Sequence, residues 1–147
     1  YYDALGKDDF SYLLARAIQF FSPGIPQVYY GGLLAADNDM ELLAKTNVGR
    51  DINRPYLSTS SVEKAIQKPV VKGLFELIKL RNHSNAFNGD FSVSYQNNVL
   101  TLNWDNQGDS ARLEIDFTTT DINAVDAVIY ITDGEKTSTL KISELLG

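Results

Sequence analysis

At 147 residues and 44% hydrophobic, the chain is long enough to bury a core, and its net charge of −6 argues against nucleic acid, because phosphate contacts need clustered Lys and Arg. Cysteine is absent, which excludes a disulfide framework, a thiolate nucleophile and Cys-built zinc sites and fits a reducing cytoplasm. Its longest apolar stretches are broken by Arg16, Gln19 or Lys79 well short of the roughly 20 residues of a membrane span, so a soluble protein is expected.

The chain opens at Tyr1-Tyr2 without an initiator Met, and the expectation is a piece of a longer polypeptide. Asp8 can cap a helix whose apolar positions Phe10, Leu13, Leu14, Ala17, Ile18 and Phe21 recur at helical spacing until Pro23-Gly24 stops it. The β-branched and aromatic run from Ile25 to Tyr30, bounded by glycines, predicts a buried strand with Pro26 near its beginning. From Gly32 to about Thr59 the pattern dissolves into a long connection in which Met40 to Leu43 can form a helical turn. Connections of this length in compact proteins are usually functional or disordered. Ser60 and Glu63 offer a capping box for a short helix, and Pro69 suits the first turn of another that should end near Asn82.

After Asn88-Gly89-Asp90 the hydrophobic period changes to two. Phe91, Val93 and Tyr95, then Leu100, Leu102 and Trp104, then Leu113, Ile115 and Phe117 predict three strands joined by short turns. A fourth, 127–132, turns at Asp133-Gly134 into a fifth around 139–142. Charge shifts at the same place: residues 1–86 carry a net +1 and residues 87–147 a net −7. A boundary near Phe87 is therefore expected, with an antiparallel β domain over 87–147. The element order suits the end of a (β/α)8 barrel followed by a small β domain, and a two-layer α+β domain equally well.

The segment from Ala15 to Tyr30 closely resembles the seventh helix and eighth barrel strand of sucrose phosphorylases, and its Gly24-Ile25-Pro26 followed by Tyr29-Tyr30-Gly31 resembles a motif shared across the α-amylase superfamily. Asn38-Asp39-Met40-Glu41-Leu42-Leu43, Gly49-Arg50-Asp51-Ile52-Asn53-Arg54 and Arg81-Asn82 resemble the sucrose phosphorylase family in particular. Gly31 and Pro55 depart from that pattern, where a bulkier residue and an aromatic or His are more usual. The resemblance implies that residues 1–86 are the C-terminal part of a catalytic (β/α)8 barrel and 87–147 a C-terminal antiparallel β domain. It also implies a retaining double displacement, in which glucose passes from sucrose to phosphate to give glucose 1-phosphate and fructose.

That chemistry needs two carboxyl groups about 5 to 5.5 Å apart. In the family they follow earlier barrel strands, so the resemblance places them before Tyr1, leaves this chain with no catalytic residue of its own and predicts that it is inert alone. Arg50 matches a substrate-binding arginine at the closed end of the glucose pocket, which pairs with an Asp near the sugar's 4-hydroxyl. A guanidinium suits the role because its fixed fork of donors can hold a carboxylate and a hydroxyl together. No metal or organic cofactor is implied, and dimers occur in the family. Related donors (sucrose phosphate, glucosylglycerol, glucosylglycerate) and a non-catalytic carbohydrate-binding module are the alternatives.

Away from the resemblance, Asp37, Asp39 and Asp51 read as turn residues rather than a catalytic pair or calcium site. His83 reads as a helix-end residue and Trp104 as core. Tyr1, Tyr2, Phe20, Phe21, Tyr29 and Tyr30 are explained more simply by burial than by sugar stacking.

Overall fold

Asp8 caps the first long helix: its Oδ1 accepts the Ser11 amide at 2.7 Å, and helix α1 (Asp9–Phe21) follows with Tyr12, Leu13, Ala17 and Phe21 out of solvent. The computed structural model describes residues 1–147, the side chain of residue 123 excepted. Two short helices, α2 (Tyr30–Leu33) and α3 (Met40–Thr46), lie in the long connection, with a 3-10 turn at Gly49–Asn53. Helix α4 (Thr59–Ala65) precedes α5 (Pro69–His83), which opens on the predicted proline and packs along α1 through Val70, Val71, Leu74 and Leu77.

The five strands form one antiparallel meander in sequence order: β1 (Asp90–Gln96), β2 (Val99–Asn106), β3 (Asp109–Asp116), β4 (Asp126–Asp133) and β5 (Lys136–Lys141). Register pairs Trp104 with Ala111, Leu102 with Leu113 and Leu113 with Ile129, so alternate residues share one apolar face. That face packs on α1, and the closing 3-10 turn, Ile142–Leu146, inserts fully buried Ile142 beside the two long helices. Asn97 and Asn98 both adopt positive φ, 51° and 63°, the conformation that a two-residue hairpin between β1 and β2 requires.

The structure departs from the sequence reading before α2 and at the start of α4. Residues 25–29 enter no ladder, and Tyr30 starts α2 instead of ending a strand. A strand is defined by its neighbours; the one sheet among the described residues ends at β1 and β5, and it leaves this segment nothing to pair with. The α4 cap is Ser58, not Ser60, because Ser58 has the extended backbone that lets its hydroxyl accept the Ser61 amide at 3.1 Å.

Gly89 is the joint where the 3-10 turn Asn85–Asn88 delivers the chain into β1. A Cβ there would stand 1.8 Å from the Asp105 carbonyl oxygen and 2.6 Å from Asn106 Cβ, and the first of these is backbone that cannot rotate away. Gly89→Ala is therefore expected to destabilise the protein by about 3 kcal/mol, read as a lowered urea midpoint. An unchanged midpoint would show that β1 can slide off β2 without cost.

Candidate active-site loop

The loop after Tyr29 is tied down at both ends. The Asn38 amide donates to Asp3 Oδ2 at 2.7 Å, the Asp39 amide to the Ile52 carbonyl at 2.7 Å, and the Asp39 carboxylate caps α3 by accepting from the Leu42 amide at 2.8 Å. Further along, the Tyr30 hydroxyl donates to the Pro55 carbonyl at 3.1 Å. The Gly49–Asn53 turn is thus hung between α3 and α2. Buried Gly31 lets the turn approach: a Cβ would meet the Asn53 carbonyl oxygen at 3.1 Å, so the bulkier residue expected here would push the turn outward. Pro55 contributes the carbonyl that Tyr30 reaches.

On this turn Arg50 is exposed, and among the described residues its side chain makes no hydrogen bond or ion pair. Tyr29 and Tyr30, 49% and 40% exposed with ring centroids 4.4 Å apart, flank the same loop. Burial therefore does not explain these two tyrosines or Tyr1, whereas Phe20 and Phe21 are core as expected. A cavity of about 110 Å³ lies behind the turn, lined by Tyr1, Tyr2, Arg16, Tyr29, Gly31 and Asn53 among others. A wider cleft of about 620 Å³ opens between the start of α3 and α4, beside Asp39, Met40, Pro55, Leu57 and Lys64. Arg50 lines neither.

The remaining residues singled out in the sequence have local roles. Asp37 pairs with Lys7 at 2.9 Å, and Asp39 caps α3. His83 donates from Nδ1 to the Lys79 carbonyl at 2.7 Å within its own helix. Among the described residues no three His, Asp or Glu side chains gather as a metal site, and no helix is long and apolar enough to cross a membrane.

Sequence reasoning missed Arg16. It is 7% exposed, and its guanidinium sits over the rings of Tyr1 and Tyr12, 4.5 and 5.0 Å from their centroids. Burial pushes the Tyr12 phenol up, against the opposing pull of the Arg16 hydrogen bond and charge, so Tyr12 keeps its proton and donates it to the Gly32 carbonyl. The available signal was an arginine on the apolar face of a helix.

No family model matches the chain. Sucrose phosphorylase of Agrobacterium vitis is 53% identical over 118 residues, 80% of this chain and 24% of that protein. A match of that extent within 147 residues takes in the Arg50 turn. The chain is a homologue of part of the sucrose phosphorylases. Glucosylglycerol phosphorylase of Marinobacter adhaerens is 55% identical over 98 residues, 67% of this chain and 20% of that protein. The crystal structure of sucrose 6F-phosphate phosphorylase from Thermoanaerobacter thermosaccharolyticum superposes with a TM-score of 0.85 at 40% identity, covering 95% of this chain and 28% of that one. The chain thus spans about a quarter of the length of the sucrose phosphorylases and related phosphorylases it matches.

Proposed function

We propose that this chain is the C-terminal part of a cytoplasmic sucrose phosphorylase that transfers glucose from sucrose to phosphate by a retaining double displacement, releasing fructose and glucose 1-phosphate. Residues 1–86 close a (β/α)8 barrel, and residues 87–147 form the β domain behind it. The observation that carries the reading is the 53% identity to a sucrose phosphorylase across a stretch that includes the Arg50 turn. The unladdered segment 25–29 then becomes the last barrel strand, whose pairing partners belong to the rest of the barrel. In such a barrel the loops at the C-terminal strand ends build the active site, and the Arg50 turn follows this strand.

Arg50 forms part of the wall at the closed end of the glucose pocket, where its free donors receive a carboxylate and a sugar hydroxyl. The nucleophile and the acid/base lie in the remainder of the enzyme, so the described chain binds and shapes without performing a bond-making step. A homodimer, which occurs among sucrose phosphorylases, is part of the same proposal.

Donor choice is open to a direct test, because the glucosylglycerol and sucrose 6F-phosphate enzymes are also similar to this chain. Full-length protein given phosphate and each of sucrose, sucrose 6F-phosphate, glucosylglycerol and glucosylglycerate should release glucose 1-phosphate fastest from sucrose. Release from another donor alone reassigns the donor but keeps the mechanism. If none yields glucose 1-phosphate, the phosphorylase reading is wrong.

A further inference from the structure

We infer that Arg16 is a positioning residue for the Arg50 turn, acting through Tyr12 and Gln19 on the backbone at Gly32 and Gln27. The inference rests on the role proposed above for Arg50. Arg16 is the one buried charged side chain among the described residues, and each of its three nitrogens reaches a neutral acceptor: Nε and Nη2 reach the Tyr12 hydroxyl at 3.1 and 2.9 Å, and Nη1 reaches Gln19 Oε1 at 2.6 Å. Desolvating a guanidinium without a carboxylate is costly, and a well-packed apolar residue would serve stability as well or better. Its effect here is directional.

With two guanidinium N–H groups on the phenol oxygen, the single Tyr12 proton is left to point at the Gly32 carbonyl. With its amide oxygen on Arg16, Gln19 turns its NH2 to the Gln27 carbonyl at 3.0 Å. Arg16 thereby fixes two anchor points that bracket residues 28–31. From that bracketed stretch Gly31 abuts the Asn53 carbonyl and Tyr30 holds Pro55, on either side of Arg54 and at the end of the Arg50 turn. At the near anchor the fit is tight, since a Cβ on Gly32 would stand 2.5 Å from Arg16 Nη2.

The test is a double-mutant cycle on the full-length enzyme, measuring sucrose phosphorolysis and thermal melting for Arg16→Met, Arg50→Lys and the pair. Arg16→Met should lower kcat/KM by about tenfold in the parent and by less than about twofold in the Arg50→Lys background, because the second change has already removed what the first one aims. Equal fold-losses in both backgrounds, or none in either, would overturn the inference and reduce Arg16 to packing. Should Arg16→Met yield no folded protein, Gln19→Leu removes one anchor alone and is judged by the same comparison. An Arg50→Lys enzyme with parental activity would instead sink the reading of Arg50, and it would do so without reference to Arg16.

Discussion

Replacing Arg50 by alanine in the full-length enzyme should lower kcat/KM for sucrose phosphorolysis by roughly 30- to 900-fold, the equivalent of about 2–4 kcal/mol for truncating one partner of a desolvated charge pair. Two features of the turn separate this loss from unfolding. The Arg50 side chain is exposed and bonded to nothing among the described residues, so truncating it breaks no contact that holds the chain. The turn that carries it is pinned independently, by Asp39 to Ile52 and by Tyr30 to Pro55. Stability should therefore move by no more than about 0.5 kcal/mol, as for other exposed positions. Arg50→Lys should recover part of the charge effect but not the two-pronged geometry, and it should fall between alanine and the parent. A loss below about threefold for alanine would place the arginine outside the sugar pocket.

The sequence was most legible where one physical rule acts alone. Asp8 as a cap, Pro69 as the first helical residue and the period-two run through Leu102, Trp104, Leu113 and Ile115 each follow from local geometry, and each is present in the structure. Ser58 was overlooked because a capping box scores side-chain spacing, whereas the cap goes to the serine whose backbone is extended at the helix start. The segment 25–29 marks the limit of composition: its β-branched residues record a preference for the extended chain, and no neighbouring strand among the described residues pairs with it. Resemblance alone marks Arg50, which by its own local sequence is one more charge in a polar loop. Arg16 is hard to read for a different reason. A helical periodicity count sees an interruption of the apolar face, and only coordinates reveal that Tyr12, Gln19 and the Gly32 carbonyl converge around it.

The largest expected loss of stability belongs to Trp104. Its indole is 7% exposed and packs edge-on against Phe87 and tilted against Phe91, with centroids 5.9 and 5.1 Å away, while its Nε1 donates to the Phe21 carbonyl at 2.7 Å. Phe21 is the last residue of α1, and its carbonyl is one of those a helix end leaves without an internal partner. The indole thus supplies area and a cap together, and it also carries the Arg81 guanidinium 5.0 Å from its ring, whose Nη2 donates to the Gly24 carbonyl at 3.0 Å. Trp104→Ala should cost about 3–5 kcal/mol through cavity formation and lost transfer energy. Trp104→Phe keeps most of the packing and removes the donor, so it isolates the cost of the orphaned Phe21 carbonyl at about 1–2 kcal/mol. Urea unfolding followed by far-ultraviolet circular dichroism reads both, since Trp104 is the only tryptophan and its fluorescence disappears with it. If alanine and phenylalanine shift the midpoint equally, the area term is absent and the hydrogen bond alone joins sheet to helix. If neither shifts it, the β sheet does not depend on α1. The expected order, alanine well below phenylalanine and phenylalanine below the parent, makes the end of α1 a joint held from the sheet side, and that joint sets where the chain departs toward Gln27, Tyr30 and the Arg50 turn.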